Sequence, residues 1–145
     1  MLAMGVVLEK TGACQLLADA VIGLSESVFS GEWQLFCTIA LIYLITAFLT
    51  ELLSNNATIA IMAPVSLATA YQFGLDENSA RAFILTACIA SSASFLTPIG
   101  YQTNTFVYGV GGYRFKDFLK FGFWPMGFYF VGTTLLVSWY WKFLP

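Results

Sequence analysis

The segment Glu51-Leu52-Leu53-Ser54-Asn55-Asn56-Ala57-Thr58 decides how this chain folds, because it interrupts two apolar runs, Ile39-Ala40-Leu41-Ile42 before it and Ile59-Ala60-Ile61-Met62 after it. Ser and Asn side chains compete for backbone hydrogen bonds and favour helix starts, which makes Asn55 or Asn56 the expected N-cap of a second helical arm. The helix must break here. In lipid a broken helix exposes N–H and C=O groups, at several kcal/mol each, unless protein or a wet cavity encloses it. An enclosure that holds those groups also suits ions. The carbonyl end of the first arm favours a cation, and the N–H end of the second favours an anion. A polar turn at the membrane surface is the plainer alternative.

That the solvent is lipid follows from the rest of the chain. Of 145 residues, 59% are hydrophobic and 10% charged, with a mean hydropathy of +0.78, whereas soluble domains carry about 25% charged residues. Trp33 to Thr50, Leu52 to Leu75, Ala82 to Tyr113 and Phe121 to Trp141 contain no charge, and a spanning helix needs about 20 apolar residues for a core of about 30 Å. Six Lys/Arg against eight Asp/Glu leave a formal charge of −2, so no basic face exists for nucleic acid. The absence of His removes Ser-His triads, His general bases and His-containing metal sites. Cys14, Cys37 and Cys88 are odd in number and set in apolar runs; they read as small buried hydrophobes. Met1-Leu2-Ala3-Met4 has no Lys or Arg ahead of the first apolar run, unlike a secretory signal.

A second interruption lies within Ala82 to Tyr113, whose 32 residues exceed one straight span of about 20. Its middle reads Ser91-Ser92-Ala93-Ser94-Phe95-Leu96-Thr97-Pro98-Ile99-Gly100-Tyr101-Gln102-Thr103-Asn104. Pro98 cannot donate a backbone hydrogen bond and pushes Thr97 out of the helical region, so the helix should unwind around Thr97 to Gly100 and restart at Gln102. Ala90 to Ser94 is a small-residue patch suited to close helix approach. Two uncharged breaks rich in Ser, Asn and Thr match the discontinuous helices of secondary transporters.

These readings define an all-α integral membrane fold with a multi-pass chain. Residues 1–32 form an interfacial or amphipathic helix, its stripe of Gln15, Asp19 and Gly23 facing water, followed by an exposed connection from Ser25 to Glu32. Residues 33–145 form the transmembrane region: a hairpin over 33–74, a broken helix over 80–113 and a final helix over 121–141. Arg114, Lys116 and Lys120 against Asp117 make a linker of net +2 that should face the cytoplasm. The acidic Asp76-Glu77 linker and Lys142 to Pro145 then lie outside, and the element between Trp33 and Gly74 enters and leaves on one side. Two full spans and a re-entrant hairpin both satisfy that parity. The two interruptions should lie together, enclosed away from lipid.

With Thr50-Glu51 ahead of it, Ser54-Asn55-Asn56-Ala57-Thr58 resembles the Ser-Asn-Thr hairpin tip of the divalent anion/sodium symporters, in the ion transporter superfamily that includes citrate transporter-like permeases. Thr97 to Asn104, followed by Tyr108-Gly109-Val110-Gly111-Gly112-Tyr113-Arg114-Phe115-Lys116-Asp117-Phe118, is similar to the unwound helix and following loop of that family. The similarity runs from about Gly5 to Pro145. It implies a secondary active transporter of a divalent or carboxylate-type anion in a bacterial-type inner membrane or plasma membrane. Sodium would be the coupling ion, with no other cofactor. It assigns the cation to Ser54, Asn55, Asn56, Thr58, Thr97 and Pro98, with sodium held by Ser54, Asn55 and Thr97. The substrate falls to Asn55, Asn56, Ala57, Thr97, Gly100, Thr103 and Asn104. A second Asn at position 56, where the family often has Thr, leaves open whether Asn56 or Thr58 takes the hydroxyl's role. The family has two inverted repeats, and one Ser-Asn tip with one Thr-Pro break makes this chain one inverted-repeat half, read as the C-terminal half. Its partners are then the missing N-terminal repeat, a second copy in a homodimer, a small anion and membrane lipid. A non-transporting membrane fragment or assembly subunit is the alternative. Catalysis by Glu51 lacks an accompanying His, Cys cluster or second carboxylate; Glu51 reads instead as a structural hydrogen-bonding or ion-paired group near the tip.

Overall fold

The structure, a computed structural model, describes residues 10–28, 31 and 33–143; the expectations placed on 1–9, 29–30, 32 and 144–145 lie outside the described residues. Among the described residues the helices named in sequence are α1 Ala13–Val28, α2 Gln34–Thr50, α3 Asn55–Gln72, α4 Glu77–Ser91, α5 Gln102–Gly111 and α6 Phe115–Tyr140. No strand occurs among the described residues. α4 packs against α2, α3 and α6, while α1 covers α2 and α3.

The buried faces alternate small residues and threonines with a few large side chains, Ile39, Ile42, Tyr43 and Phe83. α2 turns Thr38, Ile39, Ile42, Tyr43, Thr46, Ala47 and Thr50 inward, and α4 turns in Ala80, Phe83, Thr86, Ala87, Ala90 and Ser91. Small side chains let backbones approach closely where lipid supplies no hydrophobic drive between helices. Threonine is tolerated in such faces because its hydroxyl can donate to the carbonyl one turn back. Thr38 donates to Gln34 O at 2.8 Å, Thr46 to Ile42 O at 2.7 Å, Thr69 to Val65 O at 2.9 Å and Thr86 to Ala82 O at 2.8 Å. The outer face of α2 is apolar too, with Phe48 67% exposed, as expected of a helix against lipid or a further protein element.

Of the four charge-free stretches, the structure yields one helix both long and apolar enough to cross a membrane, the 26-residue α6, about 39 Å long at 1.5 Å per residue. α2 is apolar, but its 17 residues reach only about 25 Å. The last helix starts at Phe115 rather than Phe121. The charged run 114–120 is therefore its first turns and not an open linker. Asp117 makes the difference: its Oδ2 accepts Arg114 N–H at 2.7 Å and places negative charge on the positive end of the helix. α6 exposes Phe121, Phe123, Trp124, Phe128, Leu136, Trp139 and Tyr140. At its far end Trp141 Nε1 donates to Asn78 O at 2.8 Å, which brings the start of α4 and the end of α6 to one end of the bundle. Asp76 caps α4 by accepting Ser79 N–H, and hydrogen bonding from Ser79, its side chain first and its backbone N–H after it, holds the Asp76 carboxyl below the usual carboxylate range.

In α1, Gln15, Asp19 and Gly23 are exposed, and Asp19 Oδ1 accepts a hydrogen bond from Gln72 Nε2 at 2.8 Å. This pins the helix to the end of α3, so the polar stripe does more than meet water. Leu16, Leu17 and Leu24 are exposed alongside it.

Candidate functional site at the junction of two helix breaks

The first break is compact. After Thr50, Leu52 N–H and Leu53 N–H both donate to Leu49 O, at 3.0 and 2.9 Å, closing the end of α2. The N-cap of α3 is Ser54, not Asn55 or Asn56: its extended backbone (φ −66°, ψ 148°) ends the turn and its side chain accepts Ala57 N–H. A serine hydroxyl at that position reaches the third amide of the helix directly, and both asparagines become first-turn residues.

The second break spans residues 92–101 and opens earlier than Pro98 alone dictates. Ser91 Oγ donates to Cys88 O at 2.8 Å, satisfying a terminal carbonyl of α4. The Ser91 carbonyl itself is taken by Thr50 Oγ1, which donates to it at 2.6 Å. α4 therefore ends on α2. Gln102 restarts the helix at the expected position.

Glu51 ties the two breaks together. It is 5% exposed; its Oε1 accepts Leu96 N–H at 2.8 Å, and its Oε2 accepts Thr97 N–H at 2.9 Å and the Thr97 hydroxyl at 2.7 Å. Ser94 Oγ reaches Thr50 O at 3.5 Å. The loop is braced from its other side as well. Asn104 Nδ2 donates to Ser94 O at 2.9 Å and Thr97 O at 3.2 Å, Thr105 Oγ1 donates to Pro98 O at 2.8 Å, and Gly100 N–H donates to Thr97 Oγ1 at 3.0 Å. The ion pair formed among the described residues lies elsewhere, between exposed Arg81 and Glu77, so Glu51 is compensated by hydrogen-bond donors and not by a cationic side chain.

The residues expected at the site divide into three groups. Asn55 comes to the junction through Thr50, whose Oγ1 lies 3.0 Å from its Oδ1; Thr97, buried Pro98, buried Gly100 and half-buried Asn104 form its other side. Ser54, Asn56 and Thr103 are exposed, and Ala57 is half-buried. Thr58 is fully buried, its hydroxyl without a partner among the described residues. The expected enclosure is therefore incomplete within this chain: its inner wall is present, and Ser54, Asn56 and Thr103 face outward. Sequence reasoning missed Thr50, Ser91 and Ser94 as braces of the junction. Their signal was position alone, a Thr beside the sole acidic residue of its run and serines at a helix end.

The citrate transporter family profile matches residues 1–145. An uncharacterized transporter of Synechocystis, sll0640, is 42% identical over 123 residues, 82% of this chain and 18% of its own length. The uncharacterized transporter YfbS of Escherichia coli is 35% identical over 122 residues, 84% of this chain and 19% of its own. Sodium/sulfate cotransporter 1 of Chlamydomonas reinhardtii is 34% identical over 115 residues, 79% of this chain and 12% of its own. The chain thus spans less than a fifth of the length of these relatives. No solved structure matches it.

Proposed function

The chain belongs to the citrate transporter family, and from that premise we propose that it is the C-terminal inverted-repeat half of a multi-pass secondary transporter carrying a divalent or carboxylate-type anion together with sodium. The observation that carries the reading is the fastening of two uncharged helix breaks into one junction by Thr50 and Glu51. In this reading α2 and α3 are the hairpin arms, α4 and α5 the halves of the broken helix, and α6 the closing span. The first amides of α3 and α5 lack intrahelical acceptors by helix geometry and suit oxyanion groups. Neutral oxygens of Asn55 and Thr97, beside a buried carboxylate, suit sodium, a hard cation that takes oxygen ligands. One Thr50 hydrogen cannot fully serve both Ser91 O and Asn55 Oδ1; a half-turn of the Asn55 amide gives Thr50 an N–H donor and frees the amide oxygen for a cation. The outward Ser54, Asn56 and Thr103, and the apolar outer face of α6, are where the N-terminal repeat, a second copy and lipid would close the site.

In a reconstituted full-length carrier, Asn55→Ala should raise the sodium concentration for half-maximal anion uptake by about tenfold, the scale of one lost ligand or hydrogen bond to a charged group. Unchanged sodium dependence of uptake removes Asn55 from the cation site. Orientation is tested separately. A single cysteine at Lys116, in a background lacking the native three, should react with impermeant thiol reagents from the cytoplasmic side alone. Labelling from outside inverts the topology.

A further inference from the structure

We propose that Glu51 is the positioning residue of this junction: a hydrogen-bonded clamp that sets the geometry of the 94–98 loop against the end of α2 without itself touching the transported species. The inference rests on the transport reading above and deepens it, turning the fastening by Glu51 into a role in binding affinity.

The chemistry of its partners suits a carboxyl group that accepts at both oxygens. All the groups facing the Glu51 oxygens are donors: Leu96 N–H, Thr97 N–H and the Thr97 hydroxyl. An ionised carboxylate is acceptor-only and meets all three. A glutamine would turn its NH2 toward an N–H, donor against donor, and an aspartate, one methylene shorter, would draw its oxygens back from the Leu96 and Thr97 amides. The clamp is also directional. Thr97 Oγ1 spends its hydrogen on Glu51 and one lone pair on Gly100 N–H, so its remaining lone pair points where Glu51 holds it. Pro98 and Gly100 follow within the same buried turn, so displacement of Thr97 moves them too. Burial of Glu51 without a cationic side chain makes these donors its main compensation.

The test uses hydrogen exchange of the full-length protein in detergent, without sodium or substrate, followed by uptake in vesicles. Glu51→Gln should accelerate exchange of the Leu96 and Thr97 amides by at least about tenfold, the scale of losing a charge-assisted hydrogen bond, with α4 amides before Ser91 unchanged. Thr97→Val removes one of the three bonds to Glu51, together with the acceptor of Gly100 N–H, and keeps the test available should Glu51→Gln fold poorly; it should accelerate the Leu96 and Thr97 amides less. In uptake, Glu51→Gln should raise the half-saturation for anion and for sodium together, with maximal rate per folded carrier retained. The double variant should be little worse than Glu51→Gln, because both act through one network. Unchanged exchange at 96 and 97 in both variants overturns the clamp whatever uptake shows. So does equal acceleration by Phe83→Leu, a buried change in the α4 face, since the effect would then be global loosening. Loss of sodium dependence with the exchange result intact sinks the sodium reading and leaves the clamp standing.

Discussion

Gly122→Ala is expected to destabilise the protein by about 2 kcal/mol and to loosen the second break, although alanine is the better helix former. Gly122 is a buried position inside α6. A methyl group there would collide with the carbonyl oxygen of Phe95 and lie 2.6 Å from its carbon and 3.2 Å from Leu96 N. These are backbone atoms of the unwound loop, next to the amide that Glu51 holds, so no rotamer change relieves the contact. Replacing glycine in a helix interior gains roughly 0.5–1 kcal/mol; forced overpacking costs roughly 1–3 kcal/mol or more. The clash wins, and α6 must move off the loop or the loop off Glu51. Gly127, one and a half turns on, has nothing within 4 Å of the same methyl. Gly127→Ala should therefore be neutral or stabilising in the same unfolding experiment in detergent. Equal midpoints for the two variants would refute the packing account.

That pair shows why part of this site stayed hidden in the sequence. The breaks themselves were legible, because Ser54-Asn55-Asn56 and Thr97-Pro98-Ile99-Gly100 carry local chemistry that ends a helix whatever surrounds it. The restart at Gln102 was legible for the same reason. Their boundaries were not. The second break opens at Ser92 because Thr50, 41 residues away, takes the Ser91 carbonyl, and no local propensity encodes such a partner. The charged run 114–120 read as a linker since its Lys and Arg suit a loop; the Asp117 bond to the Arg114 amide makes it a helix start. Glu51 was legible as a group that needs hydrogen bonds, but its partners lie 45 and 46 residues on. Gly122 gave no signal, because close approach is a property of the neighbour. Absence of charge marks compatibility with lipid rather than helix length, and the run from Ser92 to Tyr101 divides the stretch Ala82 to Tyr113 into α4 and α5.

Gly100→Ala should lower transport affinity strongly, and Ser94→Ala should recover part of the loss. A methyl at position 100 would collide with Ser94 Oγ, lie 2.8 Å from Glu51 Oε2 and 3.2 Å from Thr97 Oγ1, so it intrudes on the oxygens that fasten the loop. The Ser94 contact is with a side chain whose bond to Thr50 O is long, at 3.5 Å, and removing that hydroxyl opens the space at little expense. The Glu51 contact is different in kind. That oxygen is held by Thr97 through two hydrogen bonds and yields only by weakening them, each worth roughly 1.5–3 kcal/mol when charge-assisted. Gly100→Ala alone is therefore expected to raise the half-saturation for the anion at least tenfold, on the scale of losing one such bond. Combined with Ser94→Ala it should recover incompletely, with a coupling of about 1 kcal/mol between the sites, within the range seen for side chains in contact. Additive effects would mean that Ser94 and Gly100 do not share the space the geometry gives them. Full recovery would place the whole clash on Ser94 and relieve Glu51 of any part in it.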